Sequence, residues 1–312
     1  MNKVSTNLLI TGGLGFIGTN LVYMLQADKN YNITILDNFS NTSMTLDSST
    51  EIEIIRGDIT DQGTVIKAIK GKDVIIHLAA HTRVIDSIKT PWKNFSTNVI
   101  GTLNILEAMR THGVKRIINA STGGAILGEA SPPVHEEIAP KPMSPYGASK
   151  LATEGYCCAY SHAYGISYTN LRFSNIYGKY SRNKQSVIAT FIKNIINTGQ
   201  ITVYGDGNQT RDYLYAEDLV GGIMQAINST ASGTYQLGSG IPTSINTLLS
   251  VLRETVPVPF ACKYEDFRTG EIQHTHCNIN KARKDFGFNP TTRLQVGVQR
   301  TWEWYKSFQV GS

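Results

Sequence analysis

Hydrophobic and polar residues follow two distinct patterns along the first half of the chain. Short runs rich in valine, isoleucine and leucine predict strands that are buried on both faces, whereas apolar residues spaced three and four apart predict helices that cover a sheet. The predicted strands are residues 8–11, 33–37, 52–56, 74–78, 116–120 and 167–173. The predicted helices of this half are residues 16–27, 61–70, 91–112 and 146–164.

This alternation of strands and helices predicts an α/β fold, with a parallel sheet that carries helices on both faces. Beyond residue 173 the elements become shorter and are separated by glycine, proline and asparagine. The helices predicted there are residues 186–198, 243–254, 279–286 and 293–308. We therefore predict a first domain over residues 1–173, to which a segment near 209–238 returns, and a smaller C-terminal α/β lobe over 174–312.

Charge, apolar content and cysteine content exclude several classes of protein. The net charge of +5 over 312 residues is small, and no lysine–arginine cluster of the kind that follows a nucleic-acid backbone occurs. The apolar runs are too short to span a bilayer, and the N-terminus leaves no room for a signal peptide. The spacing of the four cysteines matches no metal motif. We expect reduced thiols, no metal, no nucleic-acid or membrane partner, and a cytoplasmic location.

A glycine-rich turn joins the first predicted strand to the first predicted helix. Gly12, Gly15 and Gly18 permit a tight turn, a close approach of the backbone to a pyrophosphate and close packing of the helix on the strand. The free N–H groups at the start of the helix, near Phe16 and Ile17, then face the phosphates. The preceding strand and the following helix are the context that a dinucleotide-binding fingerprint requires. We therefore predict a Rossmann-type doubly wound sheet that binds a dinucleotide.

Asp37 ends the second predicted strand, 19 residues after Gly18. An acidic side chain at this position accepts hydrogen bonds from the ribose hydroxyls of adenosine. Its negative charge repels the 2′-phosphate of NADP, and no arginine or lysine lies between residues 38 and 55 to offset it, so the sequence favours NAD. Asp58, at the end of the third strand, either reaches the adenine or caps the following helix.

Tyr146 and Lys150 lie four residues apart at the start of a predicted helix, so both side chains project from one helix face. A tyrosine side chain has a reference pKa of about 10 and is a poor base at neutral pH. A nearby lysine cation and the positive nicotinamide ring favour the phenolate, and we expect them to lower that pKa. Such a phenolate takes a proton from a substrate hydroxyl while hydride leaves the same carbon.

Several motifs in a fixed order extend this interpretation over nearly the whole chain. They are Thr11-Gly12-Gly13-Leu14-Gly15-Phe16-Ile17-Gly18, Leu36-Asp37-Asn38, His77-Leu78-Ala79-Ala80, Asn98-Val99-Ile100-Gly101-Thr102, Tyr146-Gly147-Ala148-Ser149-Lys150, Leu171-Arg172-Phe173-Ser174-Asn175-Ile176-Tyr177-Gly178 and Arg211-Asp212-Tyr213. With these motifs the chain resembles the extended short-chain dehydrogenase/reductase family, specifically its nucleoside-diphosphate-sugar epimerase and dehydratase branch.

The resemblance implies roles for individual residues. Tyr146 is expected to be the acid and base, and Lys150 to bind the nicotinamide ribose. Asn175 is expected to approach the substrate diphosphate, and Arg211 and Arg268 to clamp it, which suits the planar arginine fork. Alternatively, the first of these arginines forms a structural ion pair with the aspartate that follows it. Further cofactor contacts are expected at Asn38, Asp58, Ile59, Leu78, Ala79, Ala80 and Asn98.

The segment after the fifth strand departs from the family pattern. The family usually places a serine or threonine near the reactive hydroxyl, and here that position holds Gly123. Thr122 is the preferred replacement, with Ser121 or a water molecule as alternatives. Gly124 and Ala125 stand where the dehydratases and the decarboxylating members carry acidic residues. Since neither residue exchanges protons, 4-epimerisation is the reaction that the resemblance favours.

We therefore expect an NAD-dependent 4-epimerase of a UDP-hexose or UDP-N-acetylhexosamine that works through a transient 4-keto sugar. Thr275 falls where larger residues restrict bulky C2 substituents in the family, so an N-acetylhexosamine is expected to fit. Two alternatives stay open: another epimerase or reductase of the family, for instance one acting on UDP-glucuronate, and a non-catalytic NAD-binding sensor. The family commonly dimerises through helices that match 91–112 and 146–164, so a homodimer is expected.

Overall fold

A parallel sheet of seven strands runs through the computed structural model, which describes residues 5–43, 52–267 and 272–307. Across the sheet, the strands are β10 (Gly233–Leu237), β6 (Ser167–Phe173), β5 (Arg116–Thr122), β4 (Val74–His77), β1 (Thr6–Thr11), β2 (Tyr31–Asp37) and β3 (Glu53–Arg56). Every neighbouring pair is parallel. The strand order reverses between β1 and β4, which creates the crevice where ligands of such sheets bind. The predicted Rossmann-type α/β fold is confirmed.

Helices cover both faces of the sheet. On one face α1 (Phe16–Gln26) packs against α9 (Ala216–Ile227). On the other, α2 (Gln62–Ile69) packs against α5 (Gly101–His112), which also contacts α7 (Pro145–Tyr164). Further helices are α3 (Val84–Lys89), α4 (Pro91–Phe95), α6 (Gly123–Leu127), α8 (Val187–Thr198), α10 (Ile245–Thr255), α11 (Asn280–Phe286) and α12 (Leu294–Ser307).

The central strand β1 illustrates how the sheet is buried. Leu8 and Ile10 belong to the apolar cluster beneath α1 and α9, and Leu9 belongs to the cluster beneath α2 and α5. All three side chains are fully buried, because successive side chains of a strand point to opposite faces and both faces are covered. Each fully buried leucine or isoleucine contributes about 1.5–3 kcal/mol, so these runs anchor the sheet and fix the position of its carboxyl edge.

The predicted helix 91–112 is interrupted, and three helices, α3, α6 and α9, were not predicted. A π-helical turn, Ser96–Ile100, lies between α4 and α5, a feature that is frequent at functional sites. The short α3 escaped prediction because a segment of this length shows little periodicity. In α9 the adjacent residues Gly221 and Gly222 lower the helix propensity, and burial of the apolar face overrides that preference.

A second, smaller core lies beyond the main sheet, where α8, α10 and α12 surround short strands. These strands form a three-stranded sheet, β11 (Pro242–Ser244), β9 (Thr210–Tyr215) and β7 (Asn175–Tyr177), and a pair, β12 (Ala261–Glu265) and β8 (Gln200–Tyr204). The stretch 209–238 contributes β9 to this core. It also contributes β10 to the main sheet and α9 to the helices that cover that sheet.

Within the described ranges, no helix is long and apolar enough to cross a bilayer. The same residues contain no group of three or more histidine, cysteine or acidic side chains arranged to hold a metal ion. All four cysteines are free thiols, and Cys157 and Cys277 are the buried ones.

His77 ends β4 and is buried beneath the carboxyl edge of the sheet. Its Nδ1 lies 2.7 Å from the Thr11 hydroxyl, and its Nε2 lies 3.0 Å from the Thr102 hydroxyl. Burial, with a smaller contribution from the positive charge of Lys150, lowers the pKa of His77 to about 3. The neutral imidazole therefore links β1, β4 and α5 at the point where the sheet meets its ligand crevice.

The buried His77 makes stability dependent on pH. Its pKa is about 3 in the folded state against 6.5 ordinarily, so the unfolded chain binds more protons between these values. We expect the free energy of unfolding to fall as the pH is lowered through this window, by up to about 1.4 kcal/mol per pH unit from this group. Urea unfolding of His77→Asn should therefore depend less on pH than that of the parent. His112→Asn, at an exposed position, is the control; equal pH dependence of His77→Asn and the parent would contradict this account.

Candidate active site

The glycine-rich turn between β1 and α1 lies at the carboxyl edge of the sheet. Gly12 is left-handed (φ 69°), and a Cβ there would lie 2.8 Å from the Ala79 Cα. A Cβ on Gly18 would lie 2.6 Å from the Gly13 Cα, so the first turn of α1 rests directly on the loop. α1 begins after Gly15, and no described side chain caps its first N–H groups. A cradle of bare backbone and uncapped N–H groups fits a pyrophosphate.

The other predicted cofactor contacts line the same edge. They are Phe16 and Ile17 in the first turn of α1, Asp37 at the end of β2 and Asn38 after it, Asp58 and Ile59 after β3, Leu78, Ala79 and Ala80 after β4, and Asn98 in the π-helical turn.

Asp37 ends β2 and holds the glycine turn in place. One carboxylate oxygen accepts the Leu14 N–H at 3.0 Å, and the other accepts the Phe39 N–H at 2.8 Å. The side chain is buried, so its negative charge is weakly screened at the rim of the turn. Besides facing the predicted ribose site, Asp37 therefore positions the loop, a function that its spacing in the sequence did not reveal.

Asn38 and Asp58 form the next polar pair along the edge. The Asn38 amide donates to Asp58 Oδ2 at 2.7 Å, and Thr60 donates its N–H and its hydroxyl to Oδ1. Burial would raise the pKa of Asp58, but these hydrogen bonds outweigh burial and lower that pKa. The cap of α2 is Asp61, whose carboxylate accepts two N–H groups of the first turn. The alternative interpretation of Asp58 as the helix cap is therefore wrong.

Asn98 ties the loop after β4 to helix α7. Its Oδ1 accepts the His81 N–H at 2.7 Å, and its Nδ2 donates to the His81 carbonyl at 3.1 Å and to the Ser149 hydroxyl at 2.9 Å. The amide is thus engaged by protein groups on both sides. Asn98 shapes the cofactor pocket through the loop that carries Ala79 and Ala80.

Tyr146, the second residue of α7, is buried beside Thr122, the last residue of β5. Burial raises the pKa of Tyr146 to about 12, and an interaction with the Thr122 side chain offsets part of the rise. We expected a lowered pKa; the protein surroundings alone raise it because they withdraw the phenol from water. The positive charge that favours the phenolate has to come from a ligand.

Lys150 lies one turn further along α7 and is equally buried. Its Nζ donates to the Ala120 carbonyl at 2.9 Å. Burial lowers the pKa of Lys150 to about 8, and the negative charge of Glu154 limits the fall. At neutral pH the ammonium group therefore keeps most of its charge.

Glu154, one turn beyond Lys150, forms a buried two-point ion pair with Arg172 of β6, with Nε–Oε1 at 3.0 Å and Nη2–Oε2 at 2.8 Å. Ser121 also donates its hydroxyl to Oε1, at 2.6 Å. Since this hydroxyl is engaged by Glu154, Ser121 is a weaker candidate than Thr122 for the catalytic hydroxyl. The motifs did not reveal Glu154; its four-residue spacing from Lys150 was the available signal.

A cavity of about 350 Å³ opens at Tyr146. The structure brings together in its lining five residues that the sequence predicted for chemistry or substrate binding: Thr122, Tyr146, Asn175, Arg211 and Thr275.

Of the two arginines predicted to bind the diphosphate, the structure describes one, Arg211. Arg211 lies on β9, and its Nη1 donates to the carbonyls of Thr210 and Gln273. The carboxylate of the neighbouring Asp212 accepts N–H groups of Ser239 and two other backbone positions. Arg268 lies outside the described residues.

Gln236 on β10 also lines the cavity, and no motif had identified it. A Cβ on Gly123 would lie 2.6 Å from its Oε1, so the carboxamide occupies the space beside the missing side chain. The only signal in the sequence was the unexpected glycine, because residues so far apart along the chain meet only in the folded sheet.

Comparison with known proteins accounts for the order of these motifs. The model of the NAD dependent epimerase/dehydratase family matches residues 8–238. A putative UDP-glucose 4-epimerase from Methanocaldococcus jannaschii is 36% identical over 304 residues, which cover 96% of this chain and 98% of the relative.

Two solved structures resemble the chain over almost its full length. The UDP-N-acetylglucosamine 4-epimerase from Methanobrevibacter ruminantium, in complex with UDP-N-acetylmuramic acid, has a TM-score of 0.92 at 30% identity and covers 98% of this chain and 99% of its own. The UDP-glucose 4-epimerase from Thermus thermophilus, in complex with NAD, has a TM-score of 0.88 at 30% identity, with coverage of 96% and 99%.

The family match confirms the resemblance drawn from the motifs, the assignment to an enzyme class and the choice of NAD as cofactor. It also agrees with the glycine cradle, into which a dinucleotide fits. The chain therefore belongs to the NAD dependent epimerase/dehydratase family.

Proposed function

We propose that this protein is a nucleotide-sugar 4-epimerase that acts on a UDP-hexose or UDP-N-acetylhexosamine. The observation that carries the proposal is the pair of Tyr146 and Thr122, which line one cavity together with Asn175 and Arg211. The names of the relatives above, epimerases of UDP-glucose and UDP-N-acetylglucosamine, support the same substrate class.

The residues of the carboxyl edge are suited to hold the cofactor. The glycine turn and the first N–H groups of α1 take the pyrophosphate, Asp37 takes the adenosine ribose, and Lys150 takes the nicotinamide ribose. When bound, NAD supplies a hydride acceptor for a sugar carbon and a positive charge that favours the Tyr146 phenolate.

Tyr146 serves as the proton carrier of the proposed reaction. It accepts the proton of the sugar 4-hydroxyl while the hydrogen on C4 leaves as hydride, which gives a 4-keto sugar. Thr122 donates to the phenolate and stabilises it. Tyr146 would return the proton to the oxygen once the keto sugar had turned in the cavity and presented the opposite face of C4 to the hydride that the bound cofactor would supply. The overall reaction is an isomerisation without net oxidation.

The charge of the cavity supports a neutral sugar. Among the described lining residues, Arg211 is the one lysine or arginine, and we assign it to the diphosphate. Among the described residues of the lining, the carboxylate of a uronic acid would then find no cation of its own, and burial of an unpaired charge is costly. Thr275 has a short side chain and leaves room for a substituent at C2.

A non-catalytic NAD-binding protein is the alternative from another class. Burial of hydroxyl and ammonium groups costs free energy unless their hydrogen bonds are made. A protein that only binds NAD gains nothing from burying the Tyr146 phenol against Thr122 at the wall of a second cavity. The arrangement therefore favours the enzyme.

We also propose that the protein forms a homodimer through α3, α4, α5 and α7. Ile85, Ile88 and Trp92 expose 62%, 60% and 73% of their surfaces, and Trp92 stacks on Phe95. Large apolar side chains grouped on adjacent helices are typical of an interface. Both α3 and α4 contact α7, the second helix expected at the dimer interface, so the patch is continuous with that surface.

Epimerase activity can be tested directly by proton NMR. Purified protein, with and without added NAD, is mixed separately with UDP-glucose, UDP-N-acetylglucosamine and UDP-glucuronate. We expect the 4-epimer of one or both of the neutral sugars to accumulate, without consumption of added NAD, because each turnover returns the cofactor to its starting state. Binding of NAD without any epimer would favour the sensor, and turnover of UDP-glucuronate alone would favour the alternative epimerase.

Substitutions test the assigned hydroxyl groups. Tyr146→Phe should lower kcat by about 10²- to 10⁴-fold and leave NAD binding unchanged. Thr122→Val should lower kcat about tenfold and shift the acidic limb of its pH profile upward, because loss of the Thr122 hydroxyl raises the pKa of the phenol further. The exposed Tyr156→Phe and Thr111→Val are matched controls. Normal turnover in Thr122→Val, with a defect in Ser121→Ala, would transfer the role to Ser121.

The proposed interface is tested by analytical ultracentrifugation. Trp92→Glu places a charge in the exposed apolar patch and should convert the dimer into a monomer at micromolar concentration. Ile241→Glu is the matched control, since Ile241 is 64% exposed elsewhere on the surface. A parent protein that sediments as a monomer, or a Trp92→Glu variant that remains dimeric, would refute the interface.

A further inference from the structure

Gln236 is a buried polar side chain that the mechanism above leaves unused. It is 1% exposed and lines the same cavity as Tyr146. Its Nε2 has no hydrogen-bond partner among the described residues. Buried polar groups are rarely left unsatisfied, and those without a protein partner at the wall of a cavity are candidates for ligand contacts.

The position of the carboxamide relates it to the reacting group. Its Oε1 lies 2.6 Å from the point that a Cβ on Gly123 would occupy. Gly123 directly follows Thr122, which lines the cavity together with Tyr146. The head of Gln236 therefore fills the space of an absent side chain next to the acid–base pair.

The neighbouring strand places a buried donor on the same face of the sheet as the carboxamide. Arg172 is the register partner of Gln236 on β6, so both side chains leave the same face of the sheet. Arg172 Nη1 is also a buried donor without an acceptor in the described part of the chain, although other N–H groups of this guanidinium bind Glu154. Rotation of the carboxamide by about 180° exchanges its oxygen and nitrogen. The NH₂ group then lies where the oxygen lay, beside Gly123 at the wall of the cavity.

We propose that Gln236 positions the sugar, by donating a hydrogen bond from its carboxamide to a hydroxyl of the bound hexose beside the reacting carbon. This inference rests on the proposed function and names the group that recognises the sugar. Ser174 Oγ and His276 Nδ1 are two more buried polar atoms of the same cavity without partners in the described ranges. Together with Gln236 they form a polar wall that suits a ligand rich in hydroxyl groups.

The first test removes the hydrogen bond and keeps the size of the side chain. Gln236→Leu should lower kcat/KM for the preferred UDP-sugar about tenfold, with NAD content and thermal midpoint unchanged. A series of UDP-sugars that each lack one hydroxyl distinguishes recognition from structure. The parent should discriminate against one member of the series about tenfold, and Gln236→Leu should lose that discrimination. Gln225→Leu, at an exposed glutamine, is the matched control.

The second test changes both residues of the contact, Gly123 and Gln236. Gly123→Ser alone should collide with the carboxamide and lower kcat/KM more than tenfold, and the added Gln236→Asn, shorter by one methylene, should recover part of the loss. Parent-like discrimination in Gln236→Leu, or a Gly123→Ser defect that Gln236→Asn does not relieve, would overturn the assignment. Turnover by the parent protein distinguishes a failure of the proposed function from a failure of the role assigned to Gln236. An inactive parent contradicts the proposed function, whereas an active parent with an unaffected Gln236→Leu contradicts only the role of Gln236.

Discussion

The buried ion pair of Glu154 and Arg172 holds the catalytic face of α7 against the sheet. The pair joins α7 to β6, and the hydroxyl of Ser121 extends it to β5. Removing one partner of such a pair leaves an uncompensated buried charge, which costs about 3–5 kcal/mol. Lys150 and Tyr146 precede Glu154 by one and two helical turns on the same face. The position of Tyr146, the proposed proton carrier, over the end of β5 is thus supported by a pair that lies below it.

Burial disfavours the charged form of three ionisable groups in this region, Tyr146, Lys150 and His77. It raises the pKa of Tyr146 to about 12, lowers that of Lys150 to about 8 and lowers that of His77 to about 3. Before a ligand binds, the region therefore holds a neutral phenol and a neutral imidazole around one ammonium group. A positive ligand changes that balance at the phenol first, because the Thr122 side chain already offsets part of the rise in its pKa. The ability of the Tyr146 phenol to accept a proton therefore depends on whether the cofactor site is occupied.

Local patterns in the sequence contained most of the fold and the cofactor edge. Continuous apolar runs marked the strands, and glycines with a following acid marked the turn, because both depend on residues close together in the chain. Asp58 was harder to interpret, since Asp61 stands within the same loop and is the true cap. The contact of Gly123 with Gln236 depends on which strands become neighbours in the sheet, and no local spacing encodes that. The Glu154–Arg172 ion pair beneath α7 was not predicted, for the same reason.

A 4-epimerase has to hold the nucleotide firmly while it lets the sugar turn. Charge-assisted bonds to a diphosphate are roughly twice as strong as neutral ones, so an arginine such as Arg211 suits the fixed end. Neutral hydrogen bonds contribute only about 1 kcal/mol each, and those from Thr122 and Gln236 are therefore easily exchanged as the sugar rotates. Gly124, where a Cβ would meet nothing within 4 Å, leaves room for that movement. The departure from the usual serine or threonine is therefore compatible with turnover, because the side chain of Gln236, from β10, supplies the polar contact in the space beside Gly123.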